Sequence, residues 1–293
     1  MKTKEADNMK KIISIILAAI LTLSVFCVSS FAADTKTETL INQLVETKSI
    51  SIDFSDENFE NIGYKISGVK ASAKIYEKDD GSRYVKAVVT GKLQGIDFKL
   101  YVNDENVKVY IPLLRICLNI SEFIDIKPII NEVIDELDKY LDMTESDYAG
   151  YAKLASAGEK DVEGYGTVYV ETFVPDVKAI AEKAVSDGNI QLPEGVNLEE
   201  MTEEEIKEYL TSADPNLAAV ADSTISFYYR DDKLVGFSGT VVNENGETTS
   251  FDSSSEIKFN SISSGVDDKD LKAPSLYIDI TGFVKLILRF VAG

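Results

Sequence analysis

Val69 to Glu77, Tyr84 to Thr90 and Ile96 to Val102 switch between apolar and polar residues at close to every step. A period of two is the pattern of a strand with one face in a core and the other turned away from it. Asp79-Asp80-Gly81-Ser82, Gln94-Gly95 and Asn103-Asp104-Glu105-Asn106 separate these runs or follow them. Connections this short join antiparallel neighbours, because a parallel crossover needs a dozen residues or more. The pattern therefore predicts a meander of hairpins. The next run, VKVYIPLLRICL from Val107 to Leu118, alternates at first. Pro112 then breaks it, and Leu113, Leu114, Ile116 and Leu118 are apolar on both parities. It reads as one strand whose later part is covered on both faces.

A second set of strands follows further on. Thr167 to Val174 ends at Pro175. Ile225 to Arg230 turns through Asp231-Asp232 into Lys233 to Asn243. Asn245-Gly246 suits a type I′ turn into Thr248 to Asn260. Between and around the strands lie helical patterns. Thr35-x-x-Glu38 is a capping box ahead of Leu40, Ile41, Leu44 and Val45. Pro128 opens a helix with Ile129, Ile130, Val133, Ile134, Leu137 and Leu141 on one face. Val177, Ile180, Ala181, Ala184 and Val185 make another, stopped near Gly188, and Thr202-x-x-Glu205 caps a third. The polar, Ala/Gly-rich stretch 144–163 reads as a loop. Phe283 to Val291 reads as a C-terminal amphipathic helix with Lys285 and Arg289 on its wet side. It is too short to span a bilayer, which takes ~20 residues. The class expected is α+β: a single domain over residues 33–293, with helical insertions near 128–142 and 176–222.

Alternation also sorts the faces. Phe98, Leu100 and Val102 share one, as do Val107, Val109 and Ile111, and as do Ile225, Phe227 and Tyr229. The opposite, wetter face carries Lys74, Tyr76, Lys99, Tyr101, Lys108, Tyr110, Ser226, Tyr228, Glu256 and Lys258. Tyrosine has high strand propensity and keeps its hydroxyl in water at such positions. The same row can alternatively be read as an aromatic platform for a glycan or peptide.

Met9-Lys10-Lys11 precedes the apolar run Ile12 to Leu23, and Ser30-Phe31-Ala32 offers a small-residue cleavage site. Residues 1–32 therefore read as a secretory signal peptide cut near Ala32. Met1 and Met9 are both candidate starts. Cys27 follows Phe26, where a lipidation motif has a small residue. The expected location is the cell envelope or beyond. Once Cys27 is removed, Cys117 has no partner within the chain, and its apolar surroundings read as core.

The formal charge is −20. Residues 1–32 carry four lysines and two acids, so the remainder keeps 26 basic against 48 acidic residues, or about −22. That disfavours nucleic acid, whose phosphates are bound by Lys and Arg that displace counterions. There is no histidine, which removes Ser-His-Asp and Cys-His arrangements and imidazole metal ligands. The sequence holds no Gly-rich phosphate loop and no G-x-S-x-G. The paired acids Asp79-Asp80, Asp231-Asp232 and Asp267-Asp268 sit in turns. The reading is of a non-enzymatic protein with no cofactor and no metal.

Three segments, YVNDENVKVYIP (101–112), GYGTVYVETFVPD (164–176) and FYYRDDKLVGF (227–237), together with APSLYIDIT (273–281), resemble the periplasmic lipoprotein-carrier (LolA-like) superfamily. That superfamily includes RseB-type regulators and mycobacterial lipoprotein carriers. The resemblance implies a strongly curved antiparallel sheet, an incomplete barrel with helices packed in its concave side. It also implies an apolar cavity for a lipid, acyl chain or lipopeptide. The inward alternates Phe98, Leu100, Val109, Ile111, Ile225 and Phe227 are the candidate lining residues, and each also reads as core. Two functions are open at this point. One is an exported bacterial protein that holds an apolar ligand between sheet and helices. The other is a cell-envelope module that meets a protein or glycan without such a cavity.

Overall fold

The computed structural model describes residues 35–59, 64–103, 106–123, 152–188, 190–192, 196–213, 222–242, 247–253 and 258–292. The signal-peptide segment, the helix expected over 128–142 and the Asn245-Gly246 turn lie outside them. The chain divides into two compact units: Met1–Cys27, Asn42–Asp142 and Ile257–Gly293 form the first, and Val28–Ile41 with Met143–Glu256 the second. Antiparallel sheet plus helices makes the class α+β, as the alternation predicts.

In the first unit the strands are β1 (Ser49–Phe54), β2 (Ile66–Glu77), β3 (Arg83–Leu93), β4 (Ile96–Val102), β5 (Val107–Ile111), β6 (Ile116–Asn119), β12 (Phe259–Ser263) and β13 (Ile278–Asp279). They pair in the order β13-β6-β5-β4-β3-β2-β1-β12, antiparallel except for β13 on β6. Among the described residues no pairing joins β13 to β12, so this sheet stays open. One apolar row crosses it through register partners: Ile262, Ile52, Ala71, Val89, Leu100, Val109, Leu118. Directly opposed residues share a face, so the row confirms the parity expected for Leu100 and Val109. Gly91 lies opposite Phe98, and a Cβ there would meet the Phe98 ring at 3.1 Å. The ring occupies the space that the missing side chain leaves.

The second unit contains β7 (Ala152–Val162), β8 (Gly166–Pro175), β9 (Thr224–Arg230), β10 (Lys233–Val242) and β11 (Thr248–Asp252), paired in the order β7-β8-β9-β10-β11. Asp231 and Asp232 both take positive φ, 49° and 61°, which is the two-residue turn expected between β9 and β10. Two helices, α2 (Val177–Ser186) and α3 (Glu203–Ala213), pack Val177, Ile180, Ala181 and Ala184 against Ile206 and Leu210. The capping box of α3 is closed reciprocally: the Glu205 N–H donates to Thr202 Oγ1, and the Thr202 N–H to Glu205 Oε2. The N-terminal helix α1 (Lys36–Thr47) has Thr35 Oγ1 accepting the Glu38 N–H at its start.

Four expectations are corrected. The stretch 144–163 contains a long strand, β7, paired residue by residue with β8 apart from one bulge at Ala155. Its alanines, glycine and charges obscure it, and they suit a strand at the edge of a sheet. VKVYIPLLRICL is a hairpin, with Ile111 opposite Ile116. Pro112 starts a 3-10 turn and Arg115 ends it at φ 50°, so Leu113 and Leu114 are 77% and 57% exposed instead of covered. Thr248 to Asn260 is two strands: β11 pairs β10, and β12 pairs β1. Finally, the C-terminal helix α4 (Thr281–Ala292) leaves Phe283, Leu286 and Ile287 exposed, while Lys285 pairs with Glu122. Among the described residues no helix is long and apolar enough to cross a membrane.

Candidate functional site

The second face of the first unit's sheet forms a groove of about 550 Å³. Its floor is laid by two rows of register partners. Ser263, Ser51, Ser72, Val88 and Tyr101 make one row; Lys70, Thr90, Lys99 and Tyr110 make the next. All of them line the groove. The wall is the segment 264–274, which leaves β12 and crosses this face.

Several contacts pin that segment. Ser49 Oγ accepts the N–H groups of Gly265 and Val266 at 3.1 and 3.0 Å. Ser264 Oγ donates to Gln43 Oε1 at 3.1 Å. Leu271 is buried against Val88 and Tyr101, with Tyr76, Tyr110, Val266 and Ala273 around it. Asp268 accepts from Lys74 at 2.7 Å and from the Tyr76 hydroxyl at 3.0 Å. These two bonds hold the Asp268 carboxyl below its usual range. Burial first, then the hydrogen bond to Asp268 and after it the Asp268 charge, push Tyr76 up to about 12. Tyr76 stacks on Tyr84 at 5.1 Å, with the Lys86 ammonium 4.6 Å from the Tyr76 ring centre.

The groove is rich in donors. Among the described residues Lys70, Lys99, Lys269 and Lys272 line it together with Asp267 and Asp270, and the Lys272 charge also acts on Asp268. Lys269 is bound to Asp267 at 2.6 Å. The side chains of Lys70, Lys99 and Lys272 have no ion pair or hydrogen bond among the described residues. Ser51 and Ser72 hydrogen-bond each other at 2.9 Å. Tyr101 is only 8% exposed, and its hydroxyl has no hydrogen-bond partner among the described residues. Burial raises its ionisation point, helped by Tyr110, Cys117 and Asp270. Among the described residues no group of three or more His, Cys, Asp or Glu could hold a metal.

The face expected to be wetter is correct in parity but differs in cover. Tyr101 is buried under the 264–274 segment. In the second unit Tyr228 is buried too, tilted 5.0 Å from Tyr165 and bonded to Ser238. Gly236 makes room there, since a Cβ would lie 2.3 Å from the Tyr165 ring. Lys99, Tyr101 and Tyr110 were legible as residues of this face from the alternation, though the cavity was expected on the other; Lys70, Ser51, Ser72, Thr90 and Ser263 were not singled out, though the same period of two passes through them.

The six expected lining residues are placed as follows. Phe98, Leu100, Val109 and Ile111 lie in the first unit, on the face opposite the groove, each half-buried. Ile225 and Phe227 lie in the second. Phe227 is fully packed, its ring 6.0 Å from Phe173, and Ile225 is half-buried opposite Phe173. None of the six lines the groove.

No family model matches the chain, and no curated protein does. Among solved structures, the crystal structure of MucB is similar over 82% of this chain and 64% of that chain, at 12% identity and a TM-score of 0.26. The complex structure of Pseudomonas aeruginosa MucA/MucB is similar over 81% of this chain and 60% of that chain, at 10% identity and a TM-score of 0.23. The chain thus spans less than two thirds of the length of each. Likeness at these scores carries no argument about fold or function.

Proposed function

We propose that the chain is an exported binding module of the bacterial cell envelope that holds a polar partner in the Tyr101–Tyr110 groove and catalyses no reaction. The observation that carries this reading is that three lysines without an ion pair or hydrogen bond and the buried Tyr101, whose hydroxyl has no partner, line one groove of about 550 Å³ among the described residues. That volume falls in the range of small-molecule sites. Export rests on the signal-peptide pattern of residues 1–32. The experiment is retention of the purified protein on isolated cell envelopes. Lys70→Glu with Lys99→Glu, both at exposed positions, should abolish retention and leave the melting temperature unchanged. Full retention by the folded double variant overturns the reading.

A second reading keeps the apolar ligand: a lipid, acyl chain or lipopeptide against Phe98, Leu100, Val109 and Ile111 of the first unit. It is favoured by the half-buried state of the four first-unit side chains, where a filled core would bury them fully. Binding of a fluorescent fatty acid, weakened by Leu100→Asn, supports it. A clean unliganded mass in native mass spectrometry with no fatty-acid binding removes it.

A further inference from the structure

We infer that the groove's ligand is an acidic saccharide, a sugar-sized polyol carrying a carboxylate or a phosphate. This rests on the groove being the binding site. Acids outnumber bases 50 to 30 in the chain, so carboxylate partners for lysine are abundant. The Lys70, Lys99 and Lys272 side chains nonetheless stand unpaired around one groove. A positive site in an acidic protein selects an anion locally while the rest of the surface repels it.

Lysine, not arginine, supplies the charge: among the described residues no arginine lines the groove. An ammonium is a compact charge with three rotatable donors, and it accepts carboxylate and phosphate alike. Apart from Asp267 and Asp270, the remaining polar side chains of the lining among the described residues are hydroxyls: Ser51, Ser72, Thr90, Ser263, Ser264, Tyr101 and Tyr110. Hydroxyls both donate and accept, which matches the mixed character of sugar hydroxyls. Tyr101 is the decisive member, because it is more than nine-tenths buried, lines the groove and has no hydrogen-bond partner among the described residues. A groove of about 550 Å³ has room for a molecule larger than a single inorganic anion.

The test titrates the purified chain with glucuronic acid, glucose 6-phosphate, glucose and inorganic phosphate, following amide shifts at Lys70, Thr90, Lys99 and Tyr101. At least one acidic sugar should bind about tenfold tighter than glucose and tighter than phosphate. The stronger of the two names the source of the charge. Lys99→Met and Lys272→Met should each weaken it about three- to tenfold, and high salt should weaken it as well. Glucose binding as tightly as the acidic sugars overturns the acidic class and leaves the groove standing as a site. Phosphate binding as tightly as glucose 6-phosphate overturns the saccharide. If no probe shifts the groove, the inference fails, and envelope retention of the Lys70→Glu, Lys99→Glu variant judges the groove by itself.

Discussion

Glu171 is 2% exposed on β8, yet three donors meet its carboxylate: the N–H groups of Lys36 and Thr37 at 2.8 and 2.9 Å, and Thr37 Oγ1 at 2.6 Å. Thr37 Oγ1 also bonds the buried Tyr229 hydroxyl at 2.7 Å. A carboxylate at the first turn of α1 caps free N–H groups and faces the positive end of the helix dipole. Glu171→Ala leaves those donors unmet, and should lower stability by about 2–3 kcal/mol in urea unfolding. Glu171→Gln keeps one acceptor and should cost less. Equal losses for the two would mean that packing, and not the carboxylate, is what matters. Along β8 Glu171 shares its parity with the buried Phe173. Its partners stand 134 and 135 residues earlier in the chain, and no local pattern points to them. Tyr76 allows a pH test at the same scale. Its folded value of about 12 lies above the ordinary 10.0. Its neutral form therefore contributes stability in full below pH 10, and that contribution is lost as pH rises through about 12. Ultraviolet titration should show one tyrosine ionising near there. Asp268→Asn should bring it part of the way down, because burial is the larger cause. A return all the way to 10 would make the charge dominant.

Among the elements, the segment 264–274 decides what the groove is. It has no strand pattern, and its content of Asp, Lys and Gly reads as an ordinary turn. What makes it a wall is Leu271, seated on Val88 and Tyr101, together with two amide bonds to Ser49. Leu271→Ala should cost about 2–4 kcal/mol. Hydrogen exchange at the Gly265 and Val266 amides should accelerate by more than the global loss explains. Exchange that merely follows global unfolding would show that the segment is held elsewhere. The hairpin β5–β6 carries the complementary lesson. Leu113 and Leu114 look like strand interior because they are apolar, but Pro112 and the left-handed Arg115 set a reversal that hydrophobicity does not report. Strand β7 fails in the other direction: its composition is poor for a strand, and pairing with the regular β8 holds it in place.

For the molecule as a whole, the sequence determined by itself what depends on near neighbours. The α+β class, the Asp231-Asp232 turn, the capping box of α3 and the parity of nearly every strand follow from side-chain period and turn chemistry within a few residues. So does the Lys/Tyr row that became the groove floor. Tertiary structure decided which face is covered and by what. The contact between Lys74 and Asp268 joins residues 194 apart. Such pairings arise from the packing of whole elements, and no short window of sequence contains both sides. The Tyr-bearing face was legible as a face. That it is walled by residues 264–274, buries Tyr101 and leaves three lysines unpaired was settled only when distant strands came into register.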